Sequence, residues 1–485
     1  MTIRDLKPAL VWEIFDEITK VPRPSKKEEK IRQYLLDFAA KHNVPVKTDA
    51  IGNVVMSRAA TPGHENAPVL ILQGHMDMVC ESNKPFDFEN NPITTIIDGD
   101  WVHADGTTLG ADNGIGMAAS LAVLIDPEIV CGPIEALFTM DEETGMTGAN
   151  NLGEGMISGD ILLNLDSEDD GQIFIGCAGG VDTVCTFTYQ RSLAPADFCY
   201  LKVSVSGGLG GHSGGDIHLG HANANKVLTR FLWEQSQKLA LNLVEIDGGN
   251  LRNAIPRAAH AVFGVPESAK HAVMADFNDY CARVANEYAG LETTLKVVIE
   301  SAEKPEYVID ADSTLAVVRS VYSAPHGVVS MSRELEGLVE TSTNLASVKM
   351  AGDDKIVVTT SQRSSVESRK WDIANQVEAH FQLAGAKVEH GEGYPGWAPN
   401  MNSTIMRVIG DAYTELYGEK PLITAIHAGL ECGLLLEKYP NLDMASFGPT
   451  LRGVHSPSER MQISTVGRFW DQLKLILKKV ADLKK

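Results

Sequence analysis

The apolar run Val69-Leu70-Ile71-Leu72 leads directly into Gln73-Gly74-His75-Met76-Asp77-Met78-Val79, and this junction decides how the chain folds. A short, uninterrupted, partly β-branched run has the pattern of a strand buried on both faces, as in the parallel sheets of α/β proteins. His75 and Asp77 then emerge together at its carboxyl end, the edge at which ligands of open α/β sheets collect. An imidazole placed there can bind a metal, and a carboxylate two residues on can orient that imidazole and raise its basicity. A His-x-Asp triplet by itself is equally an ordinary surface loop.

Working outward, three more segments repeat the design. Ile134-Glu135-Ala136-Leu137-Phe138-Thr139-Met140 ends in Asp141-Glu142-Glu143-Thr144-Gly145, and Ile161-Leu162-Leu163-Asn164-Leu165 ends in Asp166-Ser167-Glu168-Asp169-Asp170. Met444-Ala445-Ser446-Phe447-Gly448-Pro449 precedes a loop with His455-Ser456-Pro457-Ser458-Glu459. Adjacent carboxylates repel by on the order of a kcal/mol per close pair unless cations or solvent screen them, so each acidic run is either a solvated turn or faces a metal. Leu109-Gly110-Ala111-Asp112-Asn113-Gly114-Ile115-Gly116 opens a helix rich in Ala, Met and Leu. Asp112 is either the N-cap of that helix or a carboxylate held by a Gly-rich turn to bridge two cations. Four strand ends furnished with acids or histidines point to a shared site more strongly than any one of them.

The flanking segments are scaffold. Leu10, Val11, Ile14, Phe15 and Ile18 recur at helical spacing until Val21-Pro22-Arg23-Pro24, and Ser25-Lys26-Lys27-Glu28 predicts a capping box for a second helix. Residues 44–56 predict two short strands turned at Gly52, and residues 463–483 an amphipathic C-terminal helix carrying Val466, Phe469, Trp470 and Leu473. The texture changes over residues 192–394. A Gly-rich run holding His212, helices over 223–241 and 269–289, and strands over 200–205, 295–299 and 355–360 predict a separate α+β domain. His212 by itself reads as a loop histidine, and no short-period repeat is evident. The expectation is an α/β catalytic domain, a mixed sheet flanked by helices, formed by residues 1–191 and 395–485 with the α+β domain inserted as a lid.

With 485 residues two domains are natural, and 44% apolar with 22% charged residues is the composition of a soluble globular protein. A formal charge of −22 argues against nucleic acid or an anionic membrane surface as the main partner, since both need a basic footprint. The seven cysteines include no C-x-x-C pair and read as reduced thiols. Charged residues recur from Arg4 to Lys7 in place of an apolar signal segment, and no apolar stretch reaches membrane length, which predicts a cytoplasmic protein.

Carboxylates and histidines without cysteine suit a hard to borderline dication such as Zn²⁺ or Mn²⁺. One His and one or two carboxylates per metal, with a shared carboxylate, make a co-catalytic pair about 3.5 to 4 Å apart that can share a hydroxide. A further carboxylate beside the pair can take a proton from that water and return it to a leaving amine. Such chemistry hydrolyses amides.

Gly74-His75-Met76-Asp77, Gly110-Ala111-Asp112-Asn113-Gly114, Asp141-Glu142-Glu143-Thr144-Gly145, Asn164-Leu165-Asp166 and His455-Ser456-Pro457-Ser458-Glu459 together resemble the di-zinc metallopeptidases that include aminoacylase-1, glutamate carboxypeptidase and carnosinase. Within that family the resemblance is nearest to the bacterial aminoacyl-histidine dipeptidases, and it spans essentially the whole chain. It implies two Zn²⁺ per subunit, with Mn²⁺ or Co²⁺ as substitutes: His75 and Asp166 on one, Glu143 and His455 on the other, Asp112 bridging. Asp77 would orient His75 and Glu142 would be the general base and acid. His212 would polarise the scissile carbonyl, Asn253 would contact substrate, Arg363 would pair with its free carboxylate, and Gly429 would line the site through its backbone. Asn113 stands where many relatives have Asp, which keeps the loop's shape but removes a charge. The implied protein is a cytoplasmic homodimer that cleaves dipeptides, Xaa-His and β-alanyl-histidine among them. The lid, by closing over both ends of the substrate, would limit its length. An N-acyl amino-acid deacylase of the same fold and a metal-stabilised binding protein are the alternatives.

Overall fold

The computed structural model describes residues 2–483. They form two compact units. The first consists of the chain up to Cys177, Trp397–Ala425 and the chain from Leu430 onward, the second of Ala178–Gly396 and Ile426–Gly429.

The first unit is built on an eight-stranded sheet in the order Val46–Thr48, Val54–Arg58, Ile134–Thr139, Leu70–His75, Ile161–Asn164, Asp443–Ser446, Gln172–Cys177, Leu422–Ile426. Ile134–Thr139, Leu70–His75, Ile161–Asn164 and Asp443–Ser446 run parallel, and all six residues of each of the first two are buried. That is why both read as continuous apolar runs rather than alternating ones. Register levels their ends: His75 stands opposite Thr139, and Gln73 opposite Asn164. Val46–Thr48 and Val54–Arg58 form the expected antiparallel pair, Gly52 at the turn with φ 114°. Helix Ala111–Ile125 is apolar on nearly every face because it packs between this sheet and helix Ala9–Ile18. The C-terminal helix Ile463–Ala481 buries Val466, Phe469, Trp470 and Leu473 as patterned. Each such large side chain stabilises the unit by roughly 1.5–3 kcal/mol.

A second, four-stranded sheet (Leu451–Arg452, Arg460–Gln462, Trp101–Ala104, Thr95–Asp98) carries the loop with His455. The capping box expected at Ser25 does not form. The helix starts at Glu29, its N-cap is Glu28, and no side chain caps it. The Glu28 carboxylate turns inward, accepting from Lys26 N at 3.0 Å and Asp141 N at 3.0 Å, because it supports the turn after Ile134–Thr139.

The second unit holds a nine-stranded sheet with an internal duplication. Strand Phe198–Ser206, helix Ala224–Ser236, strands Asn242–Gly248 and Ala259–Pro266, helix Lys270–Glu287 and strand Lys296–Ala302 form one βαββαβ lobe, its strands ordered fourth, first, third, second. Gly179–Thr188, helix Ala311–Ser323, Val339–Ala351, Lys355–Ser364, helix Glu367–Leu383 and Lys387–His390 form a second lobe in the mirrored order, joined to the first where Gly248 meets Val348. The first lobe is inserted after the opening strand of the second, so no fixed-period repeat is visible in the chain. For the same reason the division falls at Cys177/Ala178 rather than at 191/192: Gly179–Thr188 pairs along its whole length with Lys355–Ser364. The return falls at Gly396/Trp397, close to the expected 394/395, with Ile426–Gly429 as an extra excursion. Among the described residues no helix is long and apolar enough to cross a membrane.

Candidate active site

At the carboxyl ends of the four parallel strands the first unit gathers seven of the residues singled out in the sequence. His75 is the last residue of its strand, and its Nε2 lies 3.1 Å from Asp112 Oδ1 and 3.4 Å from Asp166 Oδ1. His455 Nε2 lies 3.2 Å from Asp112 Oδ2 and 2.9 Å from Glu143 Oε2. Two triads result, His75/Asp112/Asp166 and Asp112/Glu143/His455, each with ligand atoms within 4.8 Å of one another. Asp112 belongs to both and gives one oxygen to each. Asp77 stands behind His75, its Oδ1 3.3 Å from Nδ1, and its two oxygens accept from Glu142 N at 3.0 Å and Glu143 N at 3.3 Å. One carboxylate thus orients an imidazole and holds the turn that carries two further acids.

The three acids of that turn divide. Asp141, at φ 49°, turns away to the hydroxyls of Thr144 and Thr147, while Glu142 and Glu143 face His75. Burial raises Glu142 well above the usual carboxylate range, helped by Asp166, Glu431 and Glu143, with His75 opposing. Hydrogen bonds to Asp112 and Glu143 push His455 up to about 11. For His75 burial works the other way, yet Asp166, Asp112 and Asp77 raise it well above an ordinary imidazole. The two imidazoles are raised because four carboxylates, Asp77, Asp112, Glu143 and Asp166, surround them.

That surplus of negative charge fits a pair of dications. Glu143 Oε1 is buried with no hydrogen-bond partner, and Asp166 Oδ1 has only the His75 ring 3.4 Å away, so the cluster keeps acceptor capacity that protein donors do not fill. Imidazole and carboxylate donors match the hard to borderline dications expected from the sequence.

Asp112 is not an N-cap. It and Asn113 have non-helical backbone inside helix Ala111–Ile125, Gly110 occupies the cap position, and the Asp112–Asn113 peptide is cis. Glu459 accepts the amides of Leu109, Gly110, Ala111 and Asp112. Asn113 donates from Nδ2 to Leu165 O at 2.7 Å. A Cβ on Gly74 would fall 2.1 Å from Asn113 Oδ1 and displace that amide, and one on Gly116 would also meet the backbone oxygen of Leu165 at 2.7 Å.

In the second unit the other four candidates share one neighbourhood. Ser213 N donates to Asn253 O at 2.8 Å, a Cβ on Gly214 would meet His427 O at 1.9 Å, and a Cβ on Gly429 would fall 2.8 Å from the Tyr394 ring. Arg363 Nη1 donates to Tyr394 Oη at 3.0 Å. Arg369, the other guanidinium nearby in sequence, is half-exposed and turned to Glu340 at 3.5 Å. His212 Nδ1 accepts from Gly214 N at 3.3 Å and Gly215 N at 3.0 Å, which leaves the proton of the neutral ring on Nε2. Burial, with Arg363 nearby, lowers His212 to about 4, so it presents an N–H donor without a charge.

Sequence reasoning gave no functional role to Arg23, to Glu28 beyond a capping box, or to Glu431, whose carboxylate accepts from Gln73 Nε2 at 2.6 Å and Thr139 Oγ1 at 2.7 Å. His427, which reads as a plain loop residue, is buried with Nε2 2.7 Å from Ser342 Oγ. Arg23 had one signal, its place between two prolines ahead of the strand that bears His75.

The fold and the paired triads define a metallopeptidase. The chain belongs to peptidase family M20/M25/M40, which it matches over residues 71–478. It is 42% identical over 480 residues to the cytosol non-specific dipeptidase of Escherichia coli (strain K12), covering 99% of each chain. The crystal structure of aminoacylhistidine dipeptidase from Vibrio alginolyticus has a TM-score of 0.92 at 44% identity, covering 100% of this chain and 99% of that one. Aminopeptidase PepT from Bacillus cereus, at 16% identity and a TM-score of 0.62, shares the fold.

Proposed function

We propose that the protein is a di-zinc dipeptidase acting on Xaa-His and other dipeptides, β-alanyl-histidine among them. The observation that carries this is the sharing of Asp112 between two His/carboxylate triads, with Glu142 beside them. His75 and Asp166 would hold one cation, Glu143 and His455 the other, and Asp112 would serve both. Dications bound there would supply a water of lowered pKa and a polarised amide carbonyl. Glu142 takes a proton from the attacking water as its oxygen bonds to the carbonyl carbon. As the C–N bond breaks, Glu142 passes that proton to the departing nitrogen, leaving an amine and a carboxylic acid whose own proton is lost to solvent. Asp77 keeps the His75 ring in place throughout.

To the four residues of the second unit the family resemblance assigns the rest of the substrate. His212 donates from Nε2 to the scissile carbonyl oxygen, Arg363 pairs with the free carboxylate, Asn253 adds a contact, and Gly429 lines the site with bare backbone. The neutral state of His212 and the burial of Arg363 support these roles. Zinc is the expected ion, with Mn²⁺ or Co²⁺ able to replace it, and the protein is expected to be a cytoplasmic homodimer.

The test is elemental analysis together with hydrolysis of leucyl-histidine and β-alanyl-histidine before and after chelation. Two zinc equivalents per chain and cleavage that chelator abolishes and zinc restores are expected. Metal without dipeptide cleavage, but with cleavage of the N-acetyl amino acid, would overturn the dipeptidase assignment in favour of a deacylase.

A further inference from the structure

Glu459 lies four residues beyond His455, and only 2% of it is exposed. Its carboxylate accepts four backbone amides in succession: Leu109 N at 2.7 Å and Gly110 N at 3.0 Å on Oε2, Ala111 N at 2.8 Å and Asp112 N at 3.3 Å on Oε1. These amides belong to the loop that presents Asp112. Arg23, also 2% exposed, grips the carbonyl side of the same loop and of its neighbour: it donates to Gly110 O, and from Nη1 to Met76 O at 3.0 Å and Asp77 O at 2.7 Å. The glycines of the loop leave room for it, since a Cβ on Gly110 or Gly114 would fall 2.7 Å from Arg23 Nη2.

We propose that Glu459 and Arg23 are positioning residues for the metal pair: an oppositely charged, buried clamp that fixes the Asp112 loop against the segments bearing His75, Asp77 and His455, so that Asp112 divides its oxygens between two cations. The proposal rests on the di-metal reading above. Neither residue touches a ligand atom. Glu459 acts because a carboxylate offers acceptors to all four amides, and Arg23 because one planar guanidinium reaches three carbonyls of two loops. In Glu459→Gln the amide nitrogen would face two of the backbone N–H groups it must replace as acceptor, and the loop is pushed from its place. Substituting a residue that holds a metal ligand in place typically weakens metal affinity by about 10–100-fold.

The experiment compares wild type, Glu459→Gln, Glu459→Asp and Arg23→Lys by metal content after dialysis, by competition titration with a chromophoric chelator, and by thermal melting with and without Zn²⁺. The expected result is two tight equivalents in wild type, with the weaker equivalent in Glu459→Gln and Arg23→Lys bound about 10–100-fold less tightly. The rise in Tm that Zn²⁺ gives should shrink in the same variants. Their kcat should fall at little-changed KM and recover on adding Zn²⁺, and Glu459→Asp, which keeps the charge, should lie between. A purely structural role gives a different pattern, in which Tm falls equally with and without metal while both affinities stay native, and that pattern would overturn the proposal. If Glu459→Gln does not fold, the same comparison on Arg23→Lys and Glu459→Asp decides. A wild type that binds no metal would instead remove the di-metal reading itself, and the clamp with it.

Discussion

Asp112 is the residue on which the site turns, because its two oxygens point to different histidines at 3.1 Å and 3.2 Å. Beside it, Glu142 coordinates nothing in the proposed scheme and is left free to carry a proton. Replacing Glu142 with Gln should therefore keep two metals and the wild-type Tm while lowering kcat by about 10²–10⁴-fold, the usual share of general acid–base catalysis. Steady-state kinetics beside elemental analysis would check it, and near-native turnover would refute the role. His75, Asp112, Glu143, Asp166 and His455 were legible in the sequence as candidates because each sits at the end of an apolar run or in a Gly-rich turn. Which atoms meet was not legible. Asp141, Glu142 and Glu143 are alike in composition, and only the left-handed backbone at Asp141 sends one of them away from the other two.

At the scale of elements, three parallel strands are tied at their carboxyl ends by buried polar groups. Glu431, opening helix Glu431–Lys438, accepts from Gln73 and Thr139, and Gln73 Oε1 accepts from Asn164 Nδ2 at 2.6 Å. Glu431→Ala takes the acceptor from two buried donors, a loss of about 1–3 kcal/mol for each group left without its partner. Urea unfolding of the metal-free protein should show that loss, and Glu431→Gln, which keeps an oxygen, should recover part of it. The apolar strands and the amphipathic C-terminal helix were readable from periodicity alone. Val339–Ala351 was not, because Thr341, Ser342, Thr343 and Asn344 are all buried and mimic a polar loop. The capping box at Ser25 failed for a related reason: Glu28 is drawn to Asp141 N, a partner far away in sequence.

At the scale of the molecule, the second unit keeps three histidines neutral. His212 is lowered to about 4 by burial and Arg363, His326 to about 4 by burial and Lys226, and His427 to about 3 by burial, Arg363 and other histidines. In the unfolded chain each titrates near 6.5. Below that pH the unfolded state takes up protons that the folded state refuses, so the stability these groups contribute is present above pH 6.5 and is lost as pH falls towards 4. Denaturant melts at pH 7.5, 6 and 5 should show the decline, and His326→Gln should make it shallower; an unchanged slope in that variant would contradict it.

Strand Asp443–Ser446 lies between Ile161–Asn164 and Gln172–Cys177, strands that leave the ribosome some 270 to 280 residues earlier. At roughly 5–20 residues per second the nascent chain waits on the order of half a minute for the piece that fills the middle of its own sheet. Until then His75 and Asp166 have been synthesised, but His455 and Glu459 have not. A chain halted before residue 443 has an open sheet and the His75, Asp112 and Asp166 triad alone, and only synthesis through His455 and Glu459 supplies the second triad and the carboxylate that holds the Asp112 loop.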